Sequence, residues 1–138
     1  MINYEGFFIK NELKSKLFKD IEFKHVTTEY RPAVDHPELY GAIARFKIIG
    51  YGNNGQNEGV KVSLMSIDVS DLPNNRGKAA QLYELFNAIE VPHITLSIAE
   101  GAKAVNTRDL DFSEKYDVET VTGIFGGFNG NRPILESI

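Results

Sequence analysis

The sequence predicts an α+β fold in which an antiparallel sheet is backed by two helices, in the order β-α-β-β-β-α-β-β. Residues 41–51 and 59–69 alternate apolar and polar side chains on either side of an Asn- and Gly-rich linker, which is the pattern of an antiparallel hairpin. Ala79, Leu82, Phe86 and Ile89 recur at three- and four-residue spacings, which predicts a helix with one apolar stripe. Further β-rich runs occupy residues 2–9, 21–30, 92–98 and 117–126.

Taken in order, the first strand carries Tyr4, Phe7, Phe8 and Ile9. Asn11 is placed to cap a short helix through about residue 19, with Leu13, Leu17 and Phe18 inside and Lys14, Lys16 and Lys19 outside. The strand over 21–30 has Ile21, Phe23 and Val26 suited to burial, and Arg31-Pro32 ends it. Residues 35–38 form a turn before the hairpin, in which Ala42, Ala44, Phe46 and Ile48 face Val60, Val62, Leu64 and Ile67. Asn74 or Asn75 caps the second helix, which runs to about Ile89. Pro92 opens a strand over His93–Ile98, followed by a loop over 100–106. The strand over 117–126 leads into a turn at 126–131, and residues 132–135 return as an edge strand.

Composition narrows the function. At 138 residues, with 42% apolar and 25% charged residues, the chain fits one domain, 1–138, with a proper core. The absence of Cys excludes disulfides, thiolate metal sites and a Cys nucleophile, and fits a cytoplasmic setting. No apolar run approaches a membrane span, and Met1–Glu5 carries no signal-peptide pattern, so no membrane partner is expected. A net charge of −4 with no basic stripe argues against long nucleic acid, so a nucleotide partner would be small.

The chemistry lies in a repeated unit. His25-Val26-Thr27 and His93-Ile94-Thr95 each set a His and a Thr two places apart on a strand, hence on one face, roughly 6.5–7 Å from each other. In the second unit Ser97 is expected on that same face. Two imidazoles and two hydroxyls at one groove suit cleavage of a phosphodiester without a metal or cofactor. One neutral ring takes a proton from the attacking oxygen and one imidazolium protonates the leaving oxygen. The hydroxyls hydrogen-bond the non-bridging oxygens as charge shifts there.

The paired His25-Val26-Thr27 and His93-Ile94-Thr95-Leu96 motifs resemble those of the 2H phosphoesterase superfamily. Its members include LigT-like RNA ligase/cyclic phosphodiesterases, 2′,5′-oligoadenylate phosphodiesterases and phage anti-CBASS nucleases that destroy cyclic oligonucleotide immune signals. The resemblance covers about thirty residues around the motifs, with the order of elements over most of the chain, and it is nearest to the anti-CBASS branch. The first motif departs in having Thr28 where an apolar residue often follows. The resemblance implies a two-lobed antiparallel sheet with outer helices, His25 and His93 as acid/base pair, and Thr27 and Thr95 as phosphate ligands. It also implies no cofactor, and a location in the cytoplasm (the host's, if the protein is viral).

Other residues have a functional reading beside a structural one. Tyr4 and Phe8 could stack a base or fill the core, and Tyr30 and Arg31 could meet a base or second phosphate or end a strand in solvent. Lys103 could touch a phosphate or be a solvated charge, and Glu119 could accept from an exocyclic amine or serve structure alone. His36 lacks the motif, and a metal site completed by Glu29 or Asp35 is a rival use of the two His. The rival functions are a nucleotide-sequestering module, an RNA-end 2′,3′-cyclic phosphodiesterase of RNA repair, and a structural protein in which the His-Thr pairs are incidental.

Overall fold

In the computed structural model, which describes residues 1–136, seven antiparallel strands form one sheet. They are β1 (Tyr4–Ile9), β2 (His25–Tyr30), β3 (Ile43–Asn53), β4 (Asn57–Asp68), β5 (His93–Ile98), β6 (Thr120–Phe128) and β7 (Pro133–Ile134). The sheet order is β1-β2-β5-β4-β3-β6-β7, and β1 also pairs with β6. That pairing closes six strands into a barrel and removes their free edges. The short β7 pairs with Gly127 and Phe128, beyond the part of β6 that β3 occupies.

The alternation read from sequence decides which side chains fill the barrel. Ala44, Phe46 and Ile48 of β3 are buried while Arg45 and Lys47 are exposed. Phe7, Val26, Ile94 and Val60 lie opposite one another across β1, β2, β5 and β4, all fully buried. Each such side chain contributes about 1.5–3 kcal/mol of transfer free energy. The Phe7 ring packs edge-on against Phe46 and tilted against Phe125. The helix α1 (Lys78–Asn87) adds Leu82 and Phe86, the latter against Phe46. Among the described residues no helix is long and apolar enough to cross a membrane.

Several local expectations are corrected. Residues 11–19 form an irregular strap rather than a helix. Asn11 Oδ1 accepts from the Thr122 amide instead of capping, and the Lys16 amide donates to the Glu58 carboxylate, so tertiary partners take the groups a helix would use. Leu13 is buried, while Leu17 is half exposed. α1 is therefore the one α-helix among the described residues, and it starts after Gly77, with no side-chain cap from Asn74 or Asn75. Residues 21–24 stay outside β2, with Ile21 N donating to Leu96 O. β6 runs on through Gly126 and Gly127, so the turn begins at Asn129, whose Oδ1 accepts from the amides of Asn131 and Arg132. The sheet is closed rather than divided into two separate lobes.

Candidate functional site

The two His-x-Thr units lie on adjacent antiparallel strands. Val26 of β2 stands opposite Ile94 of β5, both pointing into the core. That register sets His25 across from Thr95 and His93 across from Thr27, all four partly exposed on the outer face. Sequence segments far apart in the chain thus present two rings and two hydroxyls on one small surface.

The rings are held identically. His25 Nδ1 lies 2.7 Å from the Phe23 carbonyl oxygen, and His93 Nδ1 lies 2.7 Å from that of Val91. A carbonyl only accepts, so each Nδ1 carries the hydrogen and each neutral ring keeps its lone pair at Nε2. The Tyr4 hydroxyl, 3.5 Å from His25 Nδ1, is too far to compete. Burial lowers the pKa of both imidazoles below the ordinary value of 6.5, and the carbonyl bonds oppose the shift. Positive charge on His93 lowers His25 further, and Arg108 does the same to His93 against an opposing pull from Asp109. Both rings therefore lose their protons more readily than a free imidazole, and the doubly protonated state is disfavoured.

The likeness extends to the flanking strands. Gly6, Phe7 and Phe8 of β1 pair with Thr27, Val26 and His25, and Gly59, Val60 and Lys61 of β4 pair with Thr95, Ile94 and His93. Both pairings slip one residue before the glycine, which leaves Thr28 and Leu96 as the extra residues of two β-bulges. Each glycine is preceded by a fully buried glutamate. Glu5 accepts from His36 N at 2.6 Å, His36 Nδ1 at 2.7 Å and the Tyr40 hydroxyl at 2.8 Å. Glu58 accepts from Lys16 N, the Ser97 hydroxyl and the Tyr51 hydroxyl. A Cβ on Gly6 would collide with the Val26 carbonyl, and one on Gly59 with the Ile94 carbonyl, so both positions need hydrogen there. The site is built from two halves that share one backbone plan.

No protein-family model, curated protein or solved structure significantly matches this chain. Its chemistry is read from its own geometry.

The surroundings of the two rings differ. Tyr4 stacks on His25 with centroids 4.4 Å apart and also packs against Phe8, Tyr30 and Phe128. Burial, with a smaller contribution from Tyr30, pushes the Tyr4 hydroxyl up to about 12, so it stays protonated. Tyr30 is 67% exposed with the Arg31 guanidinium over its ring. A recess lined by Phe8, Phe23, Lys24 and Leu135 opens beside this aromatic wall. On the other side, Lys61 stands opposite His93 in register, and Arg108 lies in the 3₁₀ turn Ala104–Asp109.

Of the residues singled out from sequence, His25, Thr27, His93 and Thr95 come together, Tyr4 joins them by stacking on His25, and Tyr30 lies against Tyr4 with Arg31 over its ring. Lys103 precedes the turn that covers Thr95; its side chain is exposed and its carbonyl holds Asn57 Nδ2. Glu119 does not join them. It sits just before β6, where its carbonyl accepts from Ile48 N, and the β3–β6 pair lies across the barrel from β2 and β5. Ser97 is also displaced. The bulge at Leu96 turns it inward, where it is fully buried against Glu58. His36 pairs with Glu5 at the far end of β1. Among the described residues no three His, Asp or Glu side chains gather as metal ligands, so Glu29 and Asp35 do not complete a site with the two His. Sequence reading missed Thr107, Arg108, Lys61 and Phe128. The recurring Glu-Gly pair at 5–6 and 58–59 was the available signal for the two halves.

Proposed function

We propose that the protein is a phosphodiesterase that needs no metal and hydrolyses a small nucleotide with a 3′,5′-, 2′,5′- or cyclic phosphate linkage. A cyclic oligonucleotide is the preferred substrate class, within the 2H phosphoesterase mode. The observation that carries the reading is the matched pair of imidazoles, each with Nδ1–H committed to a carbonyl two residues back and Nε2 left for substrate.

One Nε2 removes a proton from water as its oxygen attacks phosphorus. The bond from phosphorus to the leaving ribose oxygen breaks, and the other Nε2–H protonates that oxygen. Thr27 and Thr95 donate to the non-bridging oxygens, and Arg108 adds positive charge at the His93 side. Tyr4 and Tyr30 offer stacking surface for a base. The net charge of −4 favours a small ligand gripped locally over a long polyanion.

The test is incubation with cyclic di- and trinucleotides, and with RNA ending in a 2′,3′-cyclic phosphate, in EDTA, followed by chromatography. Linear products from cyclic oligonucleotides are expected. Intact ligand released on heating would indicate sequestration, and activity lost in EDTA and restored by zinc or manganese would indicate a metal enzyme.

The pH dependence follows from the shifts. Catalysis needs one ring neutral and one protonated, and both rings lose their protons below the ordinary 6.5. The profile of kcat/KM is expected to be a bell with its maximum on the acid side of pH 6.5. A profile rising to a plateau above neutrality would contradict one-proton sharing.

A further inference from the structure

The two halves of the site differ at one buried position. Thr107, fully buried in the 3₁₀ turn, reaches over Gly59 to place its hydroxyl 3.0 Å from that of Thr95. A Cβ on Gly59 would collide with the Thr107 methyl, so this glycine makes room for the contact. At Gly6 the nearest atoms belong to the β2 backbone, and no side chain covers Thr27 in the same way among the described residues.

The polarity of the contact is set from behind. Asn57, 1% exposed, donates from Nδ2 to the Lys103 carbonyl at 2.8 Å and to Thr107 Oγ1 at 3.1 Å. The carbonyl can only accept, which fixes the amide with its nitrogen toward both partners and leaves Asn57 Oδ1 buried with no hydrogen-bond partner. A side chain held at that cost is held by what its nitrogen does. Thr107 Oγ1 thus already accepts one hydrogen bond. Either hydroxyl of the Thr95–Thr107 pair can donate, so once Thr95 turns its hydrogen to a ligand, Thr107 can supply its own to Thr95 Oγ1.

We infer that Thr107 is a positioning residue, with Asn57 behind it: the run Asn57 Nδ2 to Thr107 to Thr95 aims the Thr95 hydrogen at a phosphoryl oxygen and strengthens it as a donor. The inference rests on the phosphodiesterase reading of the site. It makes the His93 half the tighter grip on the reacting phosphate, although the two His-x-Thr units are alike.

The test uses inorganic phosphate as probe, with the ring Cε1–H resonances of His25 and His93 followed by NMR, on wild type, Thr107→Val and Thr107→Ser. Thr107→Val keeps the shape and removes the hydroxyl, and Thr107→Ser keeps the hydroxyl. The expected result is phosphate binding weakened about tenfold in Thr107→Val and returned to within about twofold in Thr107→Ser. The melting temperature stays close to wild type in Thr107→Ser and falls by a few degrees in Thr107→Val, where buried Asn57 Nδ2 loses one acceptor. Binding unchanged in Thr107→Val would overturn the relay and leave the site reading standing. Equal weakening in both variants with lowered melting temperatures would also overturn it, because Thr107→Ser keeps the hydroxyl and the packing of the turn would then be the part that matters. If phosphate moves neither imidazole in the wild type, the phosphodiesterase reading fails and the relay with it.

Discussion

His25→Ala and His93→Ala are each expected to lower turnover of a cyclic oligonucleotide by about 10²–10⁴-fold. On the proposed mechanism each removes the imidazole assigned to one side of the phosphate, and the neighbouring hydroxyls cannot carry its proton: threonine does not titrate near neutrality, and the Tyr4 hydroxyl is pushed up to about 12. The fold should survive, because both rings are partly exposed on the outside of the barrel while Val26 and Ile94 hold the core. His25→Ala also removes the ring on which Tyr4 stacks, so its melting temperature should fall further than that of His93→Ala. The double variant should be hardly slower than either single one, since acid and base act as a unit. Steady-state rates with melting curves check this. Full activity in either single variant would remove that residue from the chemistry.

Glu58→Ala is expected to destabilise the protein by about 3 kcal/mol. The fully buried carboxylate is the acceptor for the Lys16 amide, the Ser97 hydroxyl and the Tyr51 hydroxyl. Its removal leaves the buried Ser97 and Tyr51 hydroxyls and the partly buried Lys16 amide short of an acceptor and frees the strap over 11–19 that it ties to β4. Because Glu58 lies directly before Gly59 and opposite the bulge that follows Thr95, turnover should fall with stability. Glu58→Gln, which keeps one carbonyl oxygen, should lose roughly half as much. Urea unfolding measures both. A midpoint that does not move in Glu58→Ala would mean that other groups anchor the strap.

The hairpin over β3 and β4, the stripe of α1 and the His-x-Thr strands were legible in the sequence because each is a local pattern with its own period. The strap over 11–19 was not. Asn11, Leu13 and Lys16 carry a helical pattern locally, but their partners Thr122 and Glu58 are remote in sequence. Ser97 was assigned to the wrong face because period-two counting fails at a bulge, and nothing around Leu96 announces one. The likeness of the two motifs was plain, yet their meeting on adjacent strands depends on the long-range pairing of β2 with β5, which no local pattern encodes. Thr107 escaped notice because its role arises only where Gly59 leaves it room. Glu119 carried a functional reading beside a structural one by its place near the last strand, and the strand order sets it across the barrel.

The most direct measurement is the crystal structure of the protein bound to a phosphorothioate analogue of a cyclic dinucleotide. Nε2 of His25 and Nε2 of His93 are expected within hydrogen-bond distance of the attacking-side and leaving oxygens of one phosphorus, with Thr27 and Thr95 on its non-bridging atoms. A phosphate held by only one of the two rings, or seated away from both, would contradict shared acid–base catalysis across the β2–β5 pair.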